Sequence, residues 1–486
     1  MVRISKSFLK SSLMYTIAGS LPMASAIILL PFYTLYLTTD NYGALALYLA
    51  FAVLIQVLTT YSFDTGIYVF FHEYKKDEQQ LRRFVSSVFI FILLIGFALT
   101  VFFLLAGNLL FNLLLDQDDI DFFPFGLMAV LAGVFQSVFK VHSSLLQTSQ
   151  RPVLFFWSNL LSFAIIAIGT LVGLKYYPQT LWGPIGGRMA AATISAIWVL
   201  IRVGWLYGFT FDRKLLRNSF SFNTPSFLYQ LQQWSITYLD RFIMALPFFQ
   251  LPLSTIGVYD FAVKCMLAIE FVISGLYNSF YPRVIGMVME QDRKQSTPEI
   301  NRYYHGLVAA IMLLVCFAIL AFYLAVDLGI IGEGYEESIR YLPLVGMVYL
   351  ARAMRYYFTL PYGALKFSKP LPVIYMGVSM FKLLVILLLI RHFEVYAVIT
   401  AALLSSLVEA YLLWRGVRDK FDFYFNKVKI IIAPLILAAL IGISQQFFFW
   451  GSLFNYTFYV IICLVILTVL YRRELLSLMA GKSSRR

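Results

Sequence analysis

Apolar stretches of about 20 residues, the length that crosses the hydrocarbon core of a bilayer, follow one another through this chain with only short gaps between them. We place them near residues 11–37, 43–64, 84–106, 122–146, 153–174 and 182–203, then near 222–248, 254–281, 303–325, 341–364, 371–390 and 395–414, with two more near 428–447 and 452–471. Lys and Arg collect in every second gap. One set of gaps holds Arg3, Lys6 and Lys10; Lys75, Lys76, Arg82 and Arg83; Lys140 and Arg151; and Arg202, Arg213, Lys214 and Arg217. It continues with Arg283, Arg293, Lys294 and Arg302; Lys366 and Lys369; Arg415, Arg418, Lys420, Lys427 and Lys429; and Arg472, Arg473, Lys482, Arg485 and Arg486. The opposite gaps hold only Lys175, Arg340 and Arg391. Basic residues resist translocation, so the first set faces the cytoplasm, both termini lie inside and the number of spans is even. The reading is an all-α polytopic membrane protein with about 14 transmembrane helices.

Composition agrees, since a chain that is 60% hydrophobic and 13% charged has too little polar surface to cover a soluble globule. The net charge of +13 follows from the topology and does not call for nucleic acid. Cys265, Cys316 and Cys463 all sit in apolar segments, so neither a disulfide framework nor a metal site is indicated. Basic residues ahead of an apolar stretch, with Ala24-Ser25-Ala26 behind, imitate a signal peptide. Apolar sequence continues through Leu37, however, and we read it as an uncleaved first helix.

The first two groups of six stretches read as copies of one unit, because corresponding segments start about 210 to 220 residues apart. Leu146-Gln147-Thr148-Ser149-Gln150-Arg151-Pro152 recurs with one deletion as Leu365-Lys366-Phe367-Ser368-Lys369-Pro370, and Asn41-Tyr42-Gly43 echoes Ile256-Gly257-Val258-Tyr259. Six crossings return the chain to its starting side, so the copies share an orientation, as in two-lobed transporters with a site near the midplane. The expected organisation is a six-helix lobe over 1–205, a cytoplasmic linker over 206–221, a second six-helix lobe over 222–416, and two extra helices with a basic tail over 417–486. The linker mixes Phe209, Phe211, Leu215, Leu216 and Phe220 with Arg213, Lys214 and Arg217, which suits either the membrane interface or a plain loop.

No phosphate-binding loop is present: Gly183-Pro184-Ile185-Gly186-Gly187 and Gly332-Glu333-Gly334 lack the lysine and hydroxyl residue that nucleotide binding requires. The histidines His72, His142, His305 and His392 form no metal-binding pair. No catalytic residue, metal or organic cofactor is expected. Attention falls instead on charges inside the spans: Arg188, Asp240, Arg241, Lys264, Glu270, Arg352, Arg355, Lys382 and Glu409. Each costs about 2.5–3.5 kcal/mol near the bilayer centre, so such a set persists only if it pairs or lines a wet cavity. Asp240 and Arg241, about two thirds of the way up the seventh helix, reach the level of Lys264 in the eighth, and Arg355 follows Arg352 by one turn. Two readings stand: Asp240 pairs with Lys264 or Arg241 and the set fixes helix register, or the basic excess over Asp240 and Glu270 holds a polyanion such as a diphosphate. Arg188, beside Trp182, reads as snorkelling to the outer interface, while Asp64 and Glu409 read as caps, gates or ion-pair partners. Ala190-Ala191-Ala192-Thr193 reads as close helix packing.

The chain resembles the polysaccharide (O-antigen or capsule type) flippase branch of the multidrug/oligosaccharidyl-lipid/polysaccharide exporter superfamily. The motifs that carry the resemblance are Thr38-Thr39-Asp40-Asn41-Tyr42-Gly43 after a proline-containing first helix and Phe70-Phe71-His72-Glu73-Tyr74. Tyr238-Leu239-Asp240-Arg241-Phe242 and Ile256-Gly257-Val258-Tyr259-Asp260-Phe261-Ala262-Val263-Lys264 add to them. The resemblance implies two six-helix lobes around a V-shaped cavity. It also implies transfer of undecaprenyl-diphosphate-linked oligosaccharide from the inner to the outer leaflet of a bacterial cytoplasmic membrane by ion-coupled alternating access. On that reading Arg241, Lys264, Arg352, Arg355 and Lys382 bind the diphosphate and nearby sugar, and Asp240 and Glu270 serve ion coupling, by proton or sodium, or salt-bridge switching. The partners are the lipid-linked oligosaccharide and membrane lipids, with contact to the polysaccharide polymerase machinery. Competing readings are a cation-coupled multidrug exporter of the same superfamily and a lipid II flippase. The latter carry arginine in their first helices, whereas this chain has no Lys or Arg between Lys10 and Lys75. A membrane enzyme would show a sizeable outer loop, and the gaps near Gly107–Phe122 and Asp327–Arg340 are short.

Overall fold

The structure, a computed structural model, describes residues 14–15, 18–19, 21, 25–115, 120–290, 298–367, 369–447, 452–472 and 474. Arg3, Lys6, Lys10, Arg293, Lys294, Arg473, Lys482, Arg485, Arg486 and much of the stretch 11–24 lie outside the described residues. In chain order the α-helices are α1 Leu30–Tyr36, α2 Thr39–Thr60, α3 Phe63–Tyr74, α4 Glu78–Leu114, α5 Leu127–Thr148, α6 Pro152–Tyr176, α7 Trp182–Tyr207, α8 Arg213–Ala245 and α9 Leu253–Glu290. They continue as α10 Pro298–Asp327, α11 Leu342–Phe358, α12 Leu360–Ala364, α13 Leu371–Val417, α14 Ala433–Phe447 and α15 Ser452–Leu470.

Among the described residues, nine helices are long and apolar enough to cross a bilayer. The difference from the expected fourteen has specific reasons, the first span being described only in part, as the shorter apolar helix Ser25–Tyr36. The seventh and eighth, α8 and α9, carry the intramembrane charges, and the tenth, α11, is 17 residues long. The eleventh and twelfth form one 47-residue run broken at Glu394 (φ 47°, ψ −125°), where the sequence places their gap. Several basic residues that the sequence reading assigns to gaps lie within helices: Lys140 in α5, Arg202 in α7, Arg283 in α9, Arg302 in α10 and Arg415 in α13. The helices overrun the hydrocarbon core, so hydrophobicity ends before the helix does.

Polar punctuation fixes the helix starts. Thr38 caps α2 through Asn41 N at 3.2 Å, Asp77 caps α4 through Gln79 and Gln80 N, and Asp212 caps α8 through Lys214 and Leu215 N. Helix ends use left-handed residues. Gln150 (φ 56°) closes α5, with Arg151 N donating to Leu146 O. Lys366 (φ 53°), 216 positions later, follows α12 with Phe367 N donating to Tyr362 O. The two turns are equivalent, at a register three residues from the one the sequence motif suggests.

The chain divides into two compact units, Met1–Gly257 and Val258–Arg486. In the first, α6 lies along α7, α2 packs on α5, and α8 packs on α2, α3 and α4. Its division point falls later than the 206–221 linker because α8 is seated among the preceding helices. That linker is tied down: Thr210 N donates to Ser86 Oγ and Asp212 N to Ser87 Oγ, both at 2.7 Å, with Phe209 and Phe211 exposed. The α6–α7 contact rests on glycines, since a Cβ on Gly173 would lie 2.3 Å from Gly183 Cα. The Gly183–Gly187 cluster thus packs closely against α6, and Ala191 and Ala192 of the Ala190–Thr193 stretch are buried as well. A core of Phe63, Phe84, Phe89, Val138 and Val199 completes this unit. In the second unit α11 packs on α10, α13 and α14, and α10 on α15, around Tyr304, Tyr357, Phe358, Leu413 and Phe421.

The span Thr39–Tyr74 is interrupted. Tyr61 (φ 44°, ψ 39°) and Ser62 (φ 58°, ψ 17°) are both left-handed, separating α2 from α3. Such non-glycine residues cost about 1–3 kcal/mol each and persist where neighbours over-determine them. Here the Tyr61 ring stacks on Phe227 at 4.6 Å and its hydroxyl meets Thr224 Oγ1 at 3.1 Å.

Candidate functional site

The charged residues that sequence reading gathers into one site fall in both units, and each set has its own chemistry. In the first unit, Asp240 and Arg241 on α8 are both 3% exposed. Arg241 Nη1 lies 2.7 Å from Asp240 Oδ1, its backbone N–H donates to the same oxygen at 3.0 Å, and the guanidinium also donates to Thr237 O. The guanidinium carbon sits 5.6 Å from the Tyr238 ring centroid. Adjacent residues on a helix do not share a face, yet the flexible arginine folds back to reach its neighbour. Asp240 is thereby engaged by Arg241, one of the two partners that sequence alone leaves open.

In the second unit, Lys264 on α9 pairs with Asp260 at 2.6 Å, one turn earlier. Asp260, 2% exposed, is a further intramembrane acid, and its i, i+4 spacing to Lys264 is the sequence signal for it. Glu409 on α13 faces Arg355 at 3.7 Å. The excess of five bases over Asp240 and Glu270 therefore shrinks once Asp260 and Glu409 are included. Lys382 on α13 is buried, at 7% exposure.

What the fold does bring together is Glu270 on α9 with Arg352 and Arg355 on α11. Glu270 lies within electrostatic reach of Tyr349, Tyr356 and Arg355, and Arg352 shares Tyr349 and Tyr356 with it. The two arginines are seated on tyrosine faces one turn apart, Arg352 over Tyr349 and Arg355 over Tyr356, each at 5.8 Å. Among the described residues Arg352 has no carboxylate within ion-pair distance. The Arg355 side chain is 38% exposed and its pair with Glu409 is the loosest of the intramembrane set. Two guanidinium groups held flat and incompletely neutralised offer paired donors to phosphate oxygens. The tyrosines were invisible in a sequence that contains 32 of them.

Three further polar groups stand apart. Asp64, at the start of α3, is buried beside Lys140 and Gln230 in the first unit. Arg188 lies in the second turn of α7, six residues after Trp182. Glu474 accepts from Lys429 Nζ at 2.6 and 2.8 Å and lies 2.9 Å from His305 Nδ1, tying the region after α15 to α10. Burial pushes the Glu474 carboxyl up, and the Lys429 and His305 contacts outweigh this and hold it below the usual range. Among the described residues no group of three or more His, Cys, Asp or Glu side chains is placed to hold a metal ion.

The polysaccharide biosynthesis protein family model matches residues 8–289. No curated protein matches the chain. Among solved structures, the lipid II flippase MurJ in an inward closed conformation superposes with a TM-score of 0.70, covering 96% of this chain and 99% of that one at 14% identity. An inward-facing multidrug resistance MATE family transporter of the MOP superfamily gives 0.54 over 83% and 94% at 12% identity. The MATE multidrug transporter DinF-BH gives 0.54 over 86% and 96% at 14%. These likenesses show a shared fold.

Proposed function

This chain belongs to the polysaccharide biosynthesis protein family, and from that premise we propose that it is a flippase for an undecaprenyl-diphosphate-linked oligosaccharide, the repeat unit of a surface polysaccharide. The single observation that carries the reading is the Arg352–Arg355 pair, stacked on Tyr349 and Tyr356 and incompletely neutralised. Such a pair suits a diphosphate, while a cationic drug would be repelled by it. The similar fold of a flippase whose substrate is lipid II supports a lipid-linked cargo. The lack of Lys and Arg between Lys10 and Lys75 favours surface glycan over lipid II.

In this account Arg352 and Arg355 grip the diphosphate, with Lys382 in the same unit, while Arg241 and Lys264 are held by Asp240 and Asp260. Asp240 and Glu270 couple the cycle to a proton or sodium gradient by competing for the bases. The protein resides in a bacterial inner membrane with both termini cytoplasmic, acts beside the polymerase machinery and performs no covalent chemistry.

Binding of undecaprenyl diphosphate to the detergent-purified chain, with undecaprenol as the uncharged control, tests the site. The wild type binds the diphosphate selectively, and Arg352→Gln/Arg355→Gln loses about tenfold or more in affinity, the cost of one or two charge-assisted contacts. Equal binding by the variant contradicts the assignment.

A further inference from the structure

At the break between α2 and α3, four oxygens surround one nitrogen. Gln230 Nε2 lies 3.3 Å from Ser62 Oγ, 3.0 Å from Asp64 Oδ1, 3.3 Å from Asp64 Oδ2 and 3.3 Å from Thr65 Oγ1. An amide nitrogen has two hydrogens to give, so the cage holds more acceptor oxygens than its occupant satisfies. The carbonyl end of the same carboxamide, Gln230 Oε1, is buried without a hydrogen-bond partner. Thr60, immediately before the break, is fully buried and its hydroxyl is likewise unpartnered. Asn223, two turns before Gln230 on α8, packs against Gly66 with both carboxamide atoms unpartnered and no exposure at all.

We propose that Ser62, Asp64, Thr65 and Gln230 form a site for a sodium-sized monovalent cation. One carboxylate among neutral oxygens matches a single positive charge, and hydroxyl, carboxamide and carboxylate oxygens are the ligands that hard cations take. Hard-cation ligand distances are about 2.3–2.6 Å, so the oxygens need to close by less than about 1 Å. A turn of the Gln230 carboxamide replaces its N–H donors with Oε1, which is unfavourable beside a bare carboxylate and favourable beside a cation. Interrupted membrane helices are where such sites are built, because the break frees backbone and side-chain oxygens.

Lys140 gives the site its state dependence. Its ammonium lies 3.0 Å from Asp64 Oδ2, and the side chain is 36% exposed, so it can withdraw toward solvent. Lysine and the external cation compete for one carboxylate. Lys140 and Tyr68 both lie within electrostatic reach of Asp64. Binding at this cage is separable from whatever the chain transports, because it can be read without substrate.

The test is the melting temperature and 22Na+ binding of the full chain in detergent, with choline chloride and KCl at matched ionic strength. Sodium stabilises the wild type. Lys140→Gln tightens sodium binding about tenfold by removing the competing charge, Ser62→Ala/Thr65→Ala weakens it about tenfold, and Asp64→Asn abolishes it. The double alanine variant keeps the Asp64–Lys140 pair and so reports on the cage even if Asp64→Asn fails to fold. The proposal is overturned by sodium-independent melting of both wild type and Lys140→Gln. It is equally overturned by sodium binding that survives loss of the cage oxygens, or by a pH response lost in Asp64→Asn without any sodium effect, which would make Asp64 a proton site.

Discussion

Gly43, at the start of α2, meets the first turn of α9 so closely that a Cβ there would lie 2.0 Å from Leu253 O; a Cβ on Gly257 would lie 2.2 Å from Thr39 O. The contact is reciprocal at an offset of 214 residues, and Ser254 N donates to Asp40 Oδ1 at 3.0 Å within it. Gly43→Ala is therefore expected to lower stability by about 1–3 kcal/mol, the usual cost of overpacking, seen as a fall in melting temperature in detergent; an unchanged melting point would mean the helices separate freely. The sequence echo between Asn41-Tyr42-Gly43 and Ile256-Gly257-Val258-Tyr259 pointed at these glycines without revealing that they touch. Residue identity was legible in the same partial way at the charged positions. The cost of an intramembrane charge singled out Arg352, Arg355 and Glu270, which the fold does bring together. Composition was silent on partners: Lys264 to Asp260, Arg241 to Asp240 and Arg355 to Glu409 depend on helix phase and side-chain reach. Glu409→Gln, which removes the weak counter-charge of Arg355, should tighten undecaprenyl diphosphate binding by about threefold to tenfold. Weaker binding would show that Glu409 positions the arginine.

Helices were the most readable level, because apolar runs and their caps are local. The Glu394 interruption of α13 falls in a gap visible from the sequence, whereas the Tyr61–Ser62 break lies inside the second apolar stretch, 43–64, and neither residue is Gly or Pro. The breaks and turns in left-handed geometry also make the repeat testable. Gln150 and Lys366 occupy equivalent turns at φ 56° and 53°, so Gln150→Gly and Lys366→Gly should each raise stability by about 1 kcal/mol. A gain in one and a loss in the other, measured by thermal melting, would break the equivalence. The Glu474 contacts act at the same scale, holding the segment after α15 to α10 and to the residues before α14. A carboxyl whose folded pKa is depressed contributes stability that is complete above its unfolded value and is lost as pH falls through the folded value. Glu474→Gln should cost about 3–5 kcal/mol near neutrality, as expected for breaking a buried ion pair. The gap from wild type should close in acid below about pH 4. A gap that persists there would assign the loss to packing.

For the whole molecule, the length and order of apolar segments led to a polytopic helical membrane protein, and the full-length likeness to MurJ and the MATE-family structures gives the same fold. Alternating basic gaps remain the basis for cytoplasmic termini. Introducing single cysteines at Lys76 and Arg418 on one side and at Lys175 and Arg340 on the other should give labelling by a membrane-impermeant thiol reagent in intact cells only at the second pair. Substrate was least legible, because one cationic pair fits any diphosphate-linked lipid and the glycan leaves no motif. The most direct measurement is translocation of fluorescent undecaprenyl-diphosphate oligosaccharide in proteoliposomes, comparing the wild type, Arg352→Gln/Arg355→Gln and protein-free vesicles. Transport by the wild type and its loss in the correctly inserted variant are the expected results. Transport that survives the double substitution, or none by the wild type above protein-free vesicles, would contradict it.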